Sequence, residues 1–130
     1  MTKKISLALL AALFATLSLP LLAAGPGQVQ KGIASYYHDS LHGNKTASGQ
    51  VYNKNQMSAA HKSLPLGSKV RVTDVRTGKS IVVRVNDRGP FVKGRIIDLS
   101  RRAASELGMI KKGVTPVKVE VLSVPGRRGA

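Results

Sequence analysis

The stretch Ile81-Val82-Val83-Arg84-Val85 runs directly into Asn86-Asp87-Arg88-Gly89-Pro90, and this junction constrains the fold more than any other part of the chain. The β-branched run reads as a strand, and a dense turn signal follows it. Asp87 is therefore expected where a strand gives way to a loop. A second apolar run, Ile96-Ile97, delivers Asp98 just ahead of Ser100, a good N-cap for a helix over 101–107 that Gly108 would close. Either acid has a plain structural use: Asp87 could close an Asx-turn, and Asp98 could favour the helix N-terminus. The other reading, a pair of strand-end carboxylates that meets a ligand, stays open at this point.

With no cysteine, 130 residues can hold one domain stabilised by its core alone, without disulfides or thiolate metal sites. The aromatics are Phe14, Phe91, Tyr36, Tyr37 and Tyr52. The interior must then be built from Val, Ile, Leu and Ala, which suits a small β-rich domain.

Residues 1–24 are of another kind: Lys3-Lys4, an apolar run from Ile5 to Leu22 interrupted by Pro20, then Ala23-Ala24. This is the pattern of a secretory signal peptide, and the run is too short and broken for a membrane anchor. No cysteine follows it to carry a lipid. Export to the periplasm or medium as a soluble protein is expected. Residues 25–30 read as a linker, 31–123 as the folded domain and 124–130 as a basic tail. Loss of Lys3 and Lys4 takes the formal charge from +15 to +13, a balance that suits anionic envelope polymers. Nucleic acid is not expected, because an exported chain with few stacking aromatics is poorly placed for it.

Gly32 to Tyr37 reads as the first strand, with Tyr36 and Tyr37 on opposite faces, one in the core and the other a sugar platform. Residues 38–55 lack apolar periodicity and form a long loop, the kind that carries function. Met57 to Lys62 reads as a helical turn. Lys69 to Val75 is a strand whose alternation fails at Asp74, and Arg76-Thr77-Gly78-Lys79 turns it back into Ile81–Val85. The last strand is Val117 to Leu122, valines on one face and Lys118 and Glu120 on the other. An echo links Ala59-Ala60, Leu64, Gly67 and Val70-x-Val72 with Ala103-Ala104, Leu107, Gly113 and Val117-x-Val119. It suggests two related halves closed into a barrel, which leaves no bare sheet edge.

Read together, Gly32-Ile-Ala-Ser-Tyr-Tyr, Lys45-Thr-Ala-Ser-Gly, Ala59-Ala-His-Lys-Ser-Leu-Pro-Leu-Gly, Val85-Asn-Asp-Arg-Gly-Pro-Phe and Gly94-Arg-Ile-Ile-Asp-Leu-Ser, in that order, resemble the rare lipoprotein A family. These are septal-ring peptidoglycan lytic transglycosylases. The resemblance implies a mainly β fold, a six-stranded double-psi β-barrel with short helices. It also implies a groove holding Gln50, His61, Asp87 and Asp98 as the catalytic set, with Tyr37, Thr46, Ser48 and Arg88 binding substrate. The implied reaction cleaves between N-acetylmuramic acid and N-acetylglucosamine without water, leaving a 1,6-anhydro sugar during wall remodelling and septation. One acid/base would protonate the leaving oxygen and then take the C6 hydroxyl proton.

This chain departs from the family at the family's glutamate, which is Gln50 here, and an amide cannot relay a proton in that way. The alternative is an expansin-like protein that grips glycan strands without cutting them. A third possibility is a structural protein whose basic surface docks on division-site proteins. His38, Asp39, His42 and His61 invite a zinc reading, but a four-residue spacing gathers ligands on a helix and not in a loop, so no metal and no cofactor are expected. A soluble, barrel-only monomer is the expected form.

Overall fold

The computed structural model describes residues 25–126, and six strands within them close into a barrel. The expected signal peptide and the end of the basic tail lie outside the described residues. The strands are β1 (Val29–Tyr36), β2 (Ser58–His61), β3 (Lys69–Asp74), β4 (Ser80–Asp87), β5 (Arg95–Leu99) and β6 (Thr115–Ser123). One helix, α1 (Arg101–Leu107), lies between β5 and β6, and a short 3₁₀ turn, Asp39–Leu41, interrupts the long loop.

Around the barrel the order is β1-β5-β2-β4-β3-β6. β1 pairs with β5 in parallel, as β4 does with β2. β1 is antiparallel to β6, and β4 to β3. The pairs β2–β5 and β3–β6 are antiparallel too. Exchanging β1 with β4, β2 with β5 and β3 with β6 leaves this set of pairings unchanged, so the barrel is two related halves. The counterpart of the Ala59-Ala60 segment is thus β5, and not the helical Ala103-Ala104 of the sequence echo.

The core is what alternation along the long strands predicts. Val117, Val119 and Val121 point inward from β6, and Val70 and Val72 from β3 meet Val83, Val85 and Ile81 of β4. Each buried aliphatic side chain contributes about 1.5–3 kcal/mol. Gly32 is required where β1 crosses β5: a Cβ there would stand 2.6 Å from Ile96 Cγ2. Ser100 caps α1, its hydroxyl accepting from Ala103 N, and Gly108 ends it in the left-handed conformation at φ 83°. α1 buries Ala103, Ala104 and Leu107.

Three expectations need correction. The segment expected as a helical turn, Met57 to Lys62, contains β2, all four residues of which are buried. Alanine's helical preference is overruled because this segment has ladder partners on both sides, β4 and β5. At Asp74 the alternation does not fail: Asp74 follows Val70 and Val72 into the interior and is 1% exposed. β1 also begins at Val29, inside the stretch read as linker.

Candidate active site

The barrel brings Asp87 and Asp98 to one place through register. On β2, Ala60 is opposite Asp87 of β4 and opposite Asp98 of β5. The two aspartates therefore flank a single alanine on three adjacent strands, their backbones roughly 10 Å apart at ordinary strand spacing. The small Ala60 floors a cleft of about 500 Å³ whose walls include Tyr37, Arg88, Phe91 and Arg95 with the two aspartates. Its lip is apolar: Phe91 is 81% exposed.

Asp87 is held by groups from three segments. Ala47 N donates to its Oδ1 at 2.8 Å, Arg88 N donates to the same oxygen at 2.9 Å, and the Tyr37 hydroxyl donates to Oδ2. The Asx-type contact to Arg88 N is present, so the plain structural reading of Asp87 holds alongside its place in the cleft. Burial pushes the Tyr37 phenol well above its ordinary pKa, and the bond to Asp87 pushes it the same way. Tyr37 thus stays a neutral donor across the ordinary pH range. Its ring stacks on Tyr52 at 4.3 Å between centroids, and the buried Tyr52 hydroxyl accepts from Arg101 N at 3.1 Å, tying the loop to the start of α1. Asp98 is ion-paired with Arg95 at 2.6 Å. Tyr36 packs on the core and donates to Ile110 O at 2.9 Å.

Thr46 and Ser48 serve the loop. Thr46 N and Oγ1 both donate to Gln50 O, at 2.8 and 2.7 Å, and Ser48 Oγ lies 2.9 Å from Thr46 Oγ1. This tight turn, passing through Gly49 at φ 89°, is what aims Ala47 N at Asp87. Gln50 itself does not line the Asp87 cleft. It lines an adjoining depression with Ser48, Arg84 and Asn86.

His61 is not in the cleft either. It follows Ala60 on β2, so its side chain points to the other face. There it is 3% exposed, its Nδ1 accepts from Ser63 N and Leu64 N, and its Nε2 lies 2.8 Å from Gln30 Oε1. With Nδ1 accepting, Nε2 carries the proton and donates to Gln30. Burial, with the nearby Arg88 and Lys62 charges, lowers its pKa to about 4. Its backbone instead holds a cleft residue: Arg88 Nη1 donates to the carbonyls of His61 and Leu64 at 3.2 and 2.7 Å. His38 and His42 likewise serve loops, accepting from Ser40 N and Lys54 N.

Phe91, Tyr52 and Arg95 were not singled out by sequence reasoning. Phe91 had a signal, a large apolar side chain placed straight after the Gly89-Pro90 turn. Tyr52 and Arg95 gain their roles through tertiary partners, which leave no local mark.

A closed six-stranded barrel with strand-end aspartates in one cleft is the architecture of a double-psi β-barrel, and a family model described as lytic transglycolase matches residues 29–119. The chain belongs to this family, the one its motifs resemble. It is 58% identical over 98 residues to a Pasteurella multocida protein named endolytic peptidoglycan transglycosylase RlpA, covering 75% of this chain and 33% of that one. A Campylobacter jejuni protein of the same name is 50% identical over 96 residues, covering 74% of this chain and 35% of its own. The chain thus spans about a third of the length of these curated relatives. Among solved structures, the Streptomyces papain inhibitor superposes with a TM-score of 0.62 at 26% identity, over 75% of this chain and 96% of that one. A Clavibacter michiganensis expansin does so at 0.58 and 23% identity, over 79% and 52%, a likeness of fold.

Proposed function

We propose that this chain is an exported endolytic peptidoglycan transglycosylase that cuts glycan strands between N-acetylmuramic acid and N-acetylglucosamine to 1,6-anhydro ends, with Asp87 as its acid/base. The observation that carries the reading is the placement of Asp87: a carboxyl group fixed by Tyr37, Ala47 N and Arg88 N on the wall of a cleft of about 500 Å³, two strands from Asp98. Protonated Asp87 would give its proton to the glycosidic oxygen as the bond to C1 breaks. As carboxylate it would then take the proton of the C6 hydroxyl, whose oxygen closes on C1. Asp98, its Oδ1 paired with Arg95, would turn its other carboxylate oxygen towards the oxocarbenium-like centre, and Phe91 would offer an apolar face to a sugar ring.

The names of the relatives support the reaction class. The position of Gln50 outside the Asp87 cleft supports assigning the proton transfers to Asp87 in this chain. Purified protein incubated with sacculi tests the reading: mass spectrometry should find 1,6-anhydro-muramic products. Sacculi that bind the protein and yield none would favour the second reading, a glycan-gripping barrel, which the amide at position 50 motivates.

Residues 1–24 are proposed as a leader peptide, 29–123 as the barrel domain from the start of β1 to the end of β6, and 124–130 as its basic tail, with the protein in the periplasm or medium. Mass analysis of the exported form should find a new N-terminus near Gly25. Anionic envelope polymers and division-site proteins are further proposed partners of the basic surface.

A further inference from the structure

Asn86 is the extra residue where the β2–β4 register shifts, and it lines two depressions beside the Asp87 cleft and no part of the cleft itself. There Asn86 Nδ2 donates to Gln50 Oε1 at 3.3 Å. Asn86 is 6% exposed and Gln50 is exposed, so the buried amide holds the outer one in place. A head-to-tail amide pair leaves one NH₂ group and one carbonyl oxygen unspent. Here these are Gln50 Nε2 and Asn86 Oδ1, and no described residue takes either. Swapping the oxygen and nitrogen of both amides leaves the same complement, so the argument does not depend on that assignment. The pair stands between two depressions of about 360 and 240 Å³, with Leu66 lining the first and Met57 the second.

An acetamido group presents the matching set: one carbonyl acceptor, one N–H donor and one methyl. We propose that the Gln50–Asn86 pair is a subsite for the 2-acetamido group of a sugar next to the one in the Asp87 cleft. This inference rests on the glycan reading above. The turn from Thr46 to Gln50 touches both the cleft and the amide pair, since Ala47 N donates to the Asp87 side chain and the Gln50 side chain accepts from Asn86 Nδ2. A strand lying across that turn meets the cleft and the amide pair with adjacent sugars. The Gln50 amide hydrogens donate to the acetyl oxygen, Asn86 Oδ1 accepts from the acetamido N–H, and the methyl rests against Leu66. Gln50 then has a use in this chain that a carboxylate could not fill, because a carboxylate has no hydrogen to donate.

The test is calorimetric binding of two uncharged β-1,4-linked hexamers, one of N-acetylglucosamine and one of glucose, so that the net charge of the protein plays no part. The intact barrel should bind the N-acetylated hexamer about fivefold more tightly, the worth of roughly one hydrogen bond. Gln50→Ala and Gln50→Glu should each reduce the preference to about twofold or less while leaving the melting temperature unchanged, because Gln50 is exposed. Equal affinity for the two hexamers, failure to bind either, or a preference that survives both substitutions would overturn the subsite. A preference that depends on Gln50, in protein that releases no anhydro sugar from sacculi, would uphold the subsite while removing the cleavage reading.

Discussion

The two ends of the β3–β4 hairpin's strands each carry an aspartate with a nearby arginine, and the barrel uses them in opposite ways. Asp74, at the end of β3, is 1% exposed and enclosed by its own neighbours: Arg76 N donates to Oδ1, and Arg76 Nη2 and the Thr115 hydroxyl donate to Oδ2. Burial alone would raise its pKa, but these donors together hold it below the usual carboxylate range. Asp87, at the end of β4, has as many donors, yet one face of it opens on a cleft. Equal hydrogen bonding therefore does not separate a structural acid from a reactive one. What separates them is whether a strand partner leaves space beside the carboxyl group, and opposite Asp87 that partner is Ala60.

The contrast predicts its own failures. Asp87→Asn keeps the shape and most of the hydrogen bonds but cannot relay a proton, so anhydro-sugar release should fall by about 10²–10⁴-fold with little change in melting temperature. A second variant probes packing against charge: Asp74→Asn should cost about 2–3 kcal/mol in urea unfolding, because it weakens a buried charge-assisted network, and should leave turnover per folded molecule intact. Its linkage has a definite sign. Asp74 is depressed in the fold, so its contribution is full above the unfolded value near 3.9 and drains away as pH falls below it; acid unfolding of Asp74→Asn should accordingly be less steep below about pH 4.

His61 adds a separate pH window. Neutral when folded but free to take a proton when unfolded, it should give full stability above pH 6.5 and lose it as pH falls towards about 4. The loss should approach about 3 kcal/mol over that window at 1.36 kcal/mol per pH unit. Stability that is flat between pH 6.5 and 4 would show that His61 is not buried as a neutral ring. A smaller effect is expected at position 50, where Gln50→Glu adds a third carboxyl group near the cleft, beside Asp87 and Asp98, and should raise cleavage about tenfold even as N-acetyl selectivity drops. The smallest change should follow Phe91→Ala at the lip: glycan binding weaker by about 1 kcal/mol, with no shift in melting temperature, since Phe91 is 81% exposed.

Much of this was legible in the sequence, for identifiable reasons. The valine alternation of β6, the β-branched run of β4, the Ser100 cap and the Gly108 stop are local signals, and each appears where the residues place it. The ordered motifs carried the barrel and the strand-end position of Asp87 and Asp98. Ser58-Ala-Ala-His was not legible as a strand, because small residues owe their extended form to β4 and β5 and to no preference of their own. That misreading also concealed which way His61 points, since a one-residue step along a strand reverses the face and a helical turn does not. Asp74 looked like an error in the pattern because its partners, Arg76 and Thr115, come together only in the closed barrel.

The most direct test sets the two aspartates against each other in one assay. Wild-type protein, Asp87→Asn and Asp74→Asn are incubated with sacculi at a temperature where all three are folded, and 1,6-anhydro-muramic products are quantified per folded molecule. The account predicts release by wild type and by Asp74→Asn at similar rates, and a loss of about a hundredfold or more in Asp87→Asn. Release by Asp87→Asn at the wild-type rate, or release that appears only when Gln50 is changed to Glu, would contradict it.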